Sequence, residues 1–446
     1  MRRWAAVLAF TLAVLFLTPS ALAEKVFPDC LRFTQETETQ KLENHRVVMR
    51  TYPATCRPEI DAEIADLVNA LAEAGQPFLP AKGNARFLSR LDSGASITRV
   101  GDRWMSFLVI GRVCHEGFQL WADFDTRVYN METGEPVTLD MVIDAEKGGW
   151  EYLSACVREQ LAAHFPDLEP DPARLDALCS RDALARAHFT LSPGHLSLHY
   201  PAAALYPEHD PCLMRADIYY PELRPYMTDT AVRETDCSGY ALVALTYDDG
   251  PAIGATDRAL DQLRLYGAQA TFFVVGSRID KAPGIINREY DAGMSVQSHN
   301  WVHSYEGITA DTVKRWTARM NETMGRVIGR PPVIMRAPGG NEWSFISAGC
   351  TLPLIHWSVI SGDITGSDDV LAIGGKVSRA VDGDIVLMHD LDVNQGSFAA
   401  YYLPRLEARS VMTVTLQDLF ALRGVTLAPR MVVTRVDSIR TYEQNK

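Results

Sequence analysis

From about Thr228 onward, short apolar runs alternate with amphipathic stretches, and few folds accept that rhythm. The runs YALVALTY (240–247), QATFFVV (269–275), MSVQS (294–298), VIMRAP (333–338), LIHWSVI (354–360) and DIVLMHD (384–390) have the length and apolar density of buried strands. Between them the spacing predicts helices from Thr256 to Tyr266, Pro283 to Tyr290, Thr309 to Ile328 and Asp368 to Ala380. The longest carries Val313, Trp316, Met320, Met324 and Val327 on one face with Thr309 as its cap. The first stops at Gly267, the residue type that best ends a helix. Regular alternation implies an α/β unit with a parallel sheet or barrel, whose functional residues gather at the C-terminal ends of strands. Asp248, Asp249, His299, Arg336, Asp363 and His389 fall there or just beyond.

The preceding part reads differently. From Glu24 to Met227, alternating runs such as WMSFLVIGRV (104–113) and HFTLSPGHLSLHYP (188–201) are separated by turn signals, METGEP and SPGH. One amphipathic stretch, WEYLSACVREQLAAHF (150–165), interrupts them, so this half is expected to be α+β with an antiparallel sheet. If RADIYY is a strand, Arg215, Asp217 and Tyr219 share one face and Tyr220 takes the other. The chain of 446 residues exceeds what one core usually supports. The expected division is 1–23, 24–230 and 231–430, with 431–446 as a tail.

Residues 1–23 combine Arg2 and Arg3, an apolar run from Trp4 to Leu17 and a small-residue site, Ala21-Leu22-Ala23. That is the pattern of a secretory signal, so the remainder is expected to be exported, periplasmic or secreted, without a membrane span. Eight cysteines, Cys30, Cys56, Cys114, Cys156, Cys179, Cys212, Cys237 and Cys350, include no CxxC pair, which favours disulfides over a cysteine zinc site. A formal charge of −13 argues against nucleic acid as the main partner.

The chemistry concentrates in ALTYDDGP (244–251), where two carboxylates follow a buried strand and each needs compensation. His299 and His303 in SHNWVH are spaced to share one side of a helical turn, as a metal site needs. Two histidines and one carboxylate can hold a divalent metal, leaving the other aspartate free as a base. His195 and His199 have the same spacing in a strand-like run and read as structural.

Five ordered motifs, TYDDGP (246–251), HNWVH (299–303), RAPGG (336–340), WSVISGD (357–363) and LMH (387–389), carry a resemblance. Residues 238–425 resemble the polysaccharide deacetylases of the chitin-oligosaccharide-deacetylase homology type, carbohydrate esterase family four. The resemblance implies a deformed (β/α) barrel and metal-dependent removal of N-acetyl groups from sugars. It implies Asp248 as general base and Asp249, His299 and His303 as ligands of a divalent metal, zinc first, with cobalt, nickel or manganese as alternatives. Arg336 would position Asp248, Gly339 would offer a backbone N–H to the oxyanion, and Asp363 would orient His389, the acid. Leu387 would line a pocket for the acetyl methyl. Tyr247, Asn300, Gly339 and Ile364 depart from the family's usual phenylalanine, serine or threonine, tyrosine and tryptophan.

Residues 98–223 resemble an extracytoplasmic domain found before such deacetylases and in some lysozyme-sensing regulators. That implies a binding module for cell-wall glycan or a lysozyme-like protein. The expected substrate is an N-acetylated glycan, peptidoglycan above all; the rival readings are a weakly catalytic glycan- or lysozyme-binding protein and a deacetylase of another exported N-acetylated polysaccharide.

Overall fold

The computed structural model describes residues 25–83, 88–209, 211–365 and 368–442, so the expected signal segment lies outside the described residues. The N-terminal half holds a five-stranded sheet in sequence order: β1 (Thr34–Leu42), β2 (Arg46–Ala54), β3 (Ser89–Val100), β4 (Trp104–His115) and β5 (Phe118–Asn130). It is antiparallel except for β2 and β3, which run parallel because the Pro58–Gly75 helix carries the chain across between them. That helix buries Ile60, Ile64 and Val68 against Ala95, Phe107 and Val109 of the sheet. A three-stranded antiparallel sheet follows, β6 (His188–Leu191), β7 (His195–Pro201) and β8 (Leu213–Tyr219).

The cysteines depart from expectation. No disulfide joins Cys30, Cys56, Cys114, Cys156, Cys179, Cys237 or Cys350 among the described residues. They sit on separate elements, and the Cys56 thiol lies 3.5 Å from the Cys30 carbonyl oxygen rather than bonding its sulfur. Burial pushes Cys114 up to about 11 and Cys237 up to about 12, as for inert interior thiols.

The C-terminal half is built on β9 (Leu242–Asp248), buried at every position as a parallel strand covered on both faces must be. It pairs in parallel with β10 (Thr271–Val274) and with β14 (Ile385–His389), and at its start with β15 (Met412–Val414). β11 (Ser295–Ser298) extends the wall on one side and β13 (Val359–Ile360) on the other. Bridges through Met335 link β11 to β12 (Leu354–Ile355), and β12 pairs with β16 (Met431–Arg435). The wall is therefore barrel-like and irregular. LIHWSVI, one run in the sequence, is broken into β12 and β13, and residues 431–441, read as a tail, form the β16–β17 (Ser438–Thr441) hairpin on that wall.

Alternation along β9 sorts its side chains. Val243, Leu245 and Tyr247 face the helices, packing with Leu260, Leu263, Met320, Met324 and Phe398, each large apolar chain contributing about 1.5–3 kcal/mol. Leu242 and Ala244 face inward with Phe273, Ile334, Ile355, Ile385 and Val414, which leaves Thr246 and Asp248 next on the inner face. The Ala310–Ile328 helix starts at Thr309, whose side chain accepts from the Thr312 N–H, and ends at Gly329 with φ +72. Its predicted face is buried except for Trp316, which is half exposed.

The two halves meet across buried charge. Asp92 of β3 pairs with Arg264 at 2.8 Å and with Arg90, Arg112 and Arg288 at 3.4–3.9 Å, while Arg90 and Arg288 also pair with Asp261. Burial alone would raise Asp92, but these four arginines hold its carboxyl well below the usual range. Arg215 and Asp217, the strand face that can meet a ligand, turn inward instead. Asp217 pairs with Arg215, His195 and Arg330, and His195 bonds Asp418 at 2.6 Å. His199 bonds Thr190, so both histidines of that spacing are engaged within the fold. Among the described residues no helix is long and apolar enough to cross a membrane.

Candidate active site

The C-terminal ends of β9, β11 and β14 converge on one face. Asp248 ends β9 on its inner side and is 3% exposed. The next residue, Asp249, has φ +78, a left-handed turn that aspartate and asparagine tolerate better than other side chains. The turn lets the adjacent carboxylates part: Asp248 meets Arg336, and Asp249 meets two histidines.

Arg336 is fully buried and donates to Asp248 Oδ1 at 2.8 Å, Thr246 Oγ1 at 2.6 Å, and the carbonyls of Ile355 and His356 at 2.9 and 2.8 Å. Its own carbonyl accepts from His299 Nδ1 at 2.9 Å. That bond places the proton on Nδ1 and leaves the Nε2 lone pair facing Asp249. His299 Nε2 and His303 Nε2 each lie 3.3 Å from Asp249 Oδ1. Residues 299–303 form a bend rather than a helix, and the two ring centroids are 5.3 Å apart.

Asp249, His299 and His303 offer ligand atoms within 4.8 Å of one another. Asp249 Oδ1 is buried without a conventional hydrogen-bond partner among the described residues. An orphaned carboxylate oxygen 3.3 Å from two imidazole nitrogens fits a divalent cation, whose charge would compensate it. Burial opposes ionisation of Asp249, but His299, His303 and His389 outweigh it and hold its carboxyl below the usual range. The His303 side chain is 42% exposed, so the cluster opens to solvent on that side.

His389 ends β14 opposite Asp248 in register. Its Nδ1 bonds Asp363 Oδ1 at 2.9 Å, while the His389 backbone N–H and the Gln395 amide donate to Asp363 Oδ2. Burial lowers His389, but the hydrogen bond and charge of Asp363, with Asp248 and Asp249 behind it, raise it above the ordinary imidazole value. Leu387, 7% exposed, precedes it by two residues and shares its face. Gly339 has φ +62, and a Cβ there would meet the Tyr305 ring at 2.9 Å. Ile364 is exposed.

Residues 236–345 match the polysaccharide deacetylase family model. A peptidoglycan-N-acetylglucosamine deacetylase of Bacillus cereus is 30% identical over 186 residues, 40% of this chain and 87% of that protein. The chain belongs to the polysaccharide deacetylase family. A chitooligosaccharide deacetylase of Bradyrhizobium is 31% identical over 166 residues, 35% of this chain and 73% of the relative. A peptidoglycan-N-acetylglucosamine deacetylase of Listeria monocytogenes is 32% identical over 184 residues, 40% of this chain and 38% of the relative, so the match spans under half of that longer protein.

Several residues around this deacetylase-family site carry no sequence signal of their own. Thr246 follows from strand alternation with Asp248. Ser361 and Gln395, which bond Asp363, and Arg278, which donates to the Asp249 carbonyl at 2.7 Å, are brought in only by folding. Asp390 directly follows His389 and has no motif of its own; burial pushes it up to about 7, and its carboxyl group accepts from Thr256 beneath the Gly250 backbone.

Proposed function

We propose that this chain is an exported, divalent-metal-dependent hydrolase that removes N-acetyl groups from amino sugars of a polysaccharide, peptidoglycan above all. Residues 231–430 act as the catalytic unit and 24–230 as its accessory half. The observation that carries the reading is the orphaned Asp249 Oδ1 facing His299 and His303, with the Asp248 carboxylate and the His389 imidazole beside it. The similarity to peptidoglycan and chitooligosaccharide deacetylases supports the glycan class.

A cation held by Asp249, His299 and His303, zinc or else cobalt, nickel or manganese, would supply Lewis acidity to a water and to the acetamide carbonyl. Asp248, fixed by Arg336, takes the proton of the attacking water. The Gly339 backbone N–H donates to the developing oxyanion. His389, oriented through Nδ1 by Asp363, gives its Nε2 proton to the departing nitrogen, which leaves as a neutral amine. Leu387 lines the wall for the acetyl methyl.

Acetate release from purified peptidoglycan and from chitin oligomers, measured on stripped protein resupplied with zinc or cobalt, tests the reading. Release should require the metal, and His299→Ala should lower both the bound metal and release by more than about 100-fold. Release that survives stripping overturns it. A second expectation concerns pH. His389 must be protonated to act, so kcat/KM falls as pH rises through its raised pKa. Asp363→Asn removes the partner that raises it, and the alkaline limb should move to lower pH, with activity at neutral pH down roughly tenfold. An unmoved limb would take the acid role from His389.

A further inference from the structure

A groove of about 650 Å³ runs between the β1–β5 sheet and the first turns of the Ala255–Leu265 helix. Strand register fixes which end of the sheet this is. Arg46 opens β2 opposite Ser89 at the start of β3, and Arg90 stands opposite Cys114 near the end of β4. The β1–β2 turn and the β4–β5 turn therefore share one end, and the latter is tied to the Pro283–Asp291 helix by the Gly284 N–H bonding the Gly117 carbonyl at 2.7 Å. The Ala255–Leu265 helix begins at that same end, just after β9 delivers Asp248 and Asp249. Ile253, in the groove lining, is four residues from Asp249, so at most ~14 Å of chain separates them. Arg258 donates to the carbonyl of Val393, four residues past His389.

The lining is unevenly charged. Asp257 is neutralised by Arg288, and Asp261 by Arg90 and Arg288. Lys41, Arg46 and Arg258 line the same groove, and among the described residues no carboxylate pairs with any of them. Glu116 is the remaining acidic lining residue, and His45 and His115 add imidazoles. In a chain of formal charge −13, three cations without an ion-pair partner among the described residues, beside the catalytic face, mark a place for a ligand's negative charge. A carboxylate would match both their charge and their N–H donors.

We propose that this groove is a subsite for a carboxylate-bearing stretch of the glycan strand whose acetylated sugar lies at the Asp249, His299 and His303 cluster. The inference rests on the deacetylase reading and narrows its substrate to an acidic strand, with the N-terminal half supplying one wall. The carboxylates can belong to a stem peptide or to uronate sugars.

Binding and turnover are read separately on the full chain. Oligogalacturonate, which has no acetamide, and a muramyl-peptide disaccharide are titrated calorimetrically at low and high salt. At least one should bind, more weakly as salt rises, and Lys41→Glu/Arg46→Glu should weaken it about tenfold. The same variant should release acetate from a neutral chitin oligomer at the wild-type rate. Binding of the disaccharide alone assigns the carboxylates to the peptide, and binding of oligogalacturonate assigns them to uronate. Failure of both probes to bind the wild type, unchanged binding by the variant, or an equal loss on the neutral oligomer overturns the subsite. If the wild type releases no acetate from any glycan, the deacetylase reading falls while the titration still decides the groove.

Discussion

Asp248→Asn is expected to cut acetate release by about 10²–10⁴-fold while leaving one metal ion bound per chain. The substitution changes one atom's chemistry in a side chain that is 3% exposed and held by Arg336. Asparagine keeps an oxygen where Arg336 Nη1 now donates at 2.8 Å, so the side chain stays in place. What it loses is the ability to accept a water's proton. The metal cluster does not include Asp248: its Oδ2 is 3.9 Å from His299 Nε2, against 3.3 Å for Asp249 Oδ1. Metal content and release, measured on the same preparation, separate the roles of the two neighbours. Full activity would remove Asp248 as the base, and loss of metal would exchange the assignments of Asp248 and Asp249.

Arg336→Met should cost about 3–5 kcal/mol of stability, because it leaves the Asp248 carboxylate buried without its counter-charge. The carbonyls of Ile355 and His356 lose donors at the same time. Thermal unfolding should fall by roughly 10 °C. Adding Asp248→Asn should return a large share of the loss, since no lone charge then remains in the interior, and the double-mutant cycle measures that coupling. Additive losses would mean that the pair is not a unit. Arg336 also offers its carbonyl to His299 Nδ1, so its side chain fixes the base while its backbone fixes a candidate ligand.

Legibility in the sequence followed locality. The seven buried residues of β9, the Thr309 cap and the Gly267 stop are local signals, and the elements sit where those signals put them. The Arg336 to Asp248 and Asp363 to His389 pairs join residues 88 and 26 positions apart, which composition and periodicity do not connect; the ordered motifs did. Irregular strands were harder. Met335 contributes only bridges, and LIHWSVI breaks where the His356 N–H turns to the Val433 carbonyl and the Ser358 N–H to Ile385. The β16–β17 hairpin escaped because β17, SIRT, is exposed throughout and carries no apolar alternation. Disulfides were inferred from count and compartment, and neither specifies which thiols meet.

The seam of Arg90, Asp92, Arg264, Arg288 and Asp261 has a consequence for how such a chain can be recombined. Cut between the halves, the barrel fragment would keep Arg264 without Asp92, and the sheet fragment would keep Asp92 without Arg264 or Arg288. Each fragment would expose to water an ionic surface shaped for enclosure, beside apolar neighbours that expect a lid. The catalytic half is thus poorly portable: transplanted behind a different leader module, it would need those charges rewritten before it could stand alone.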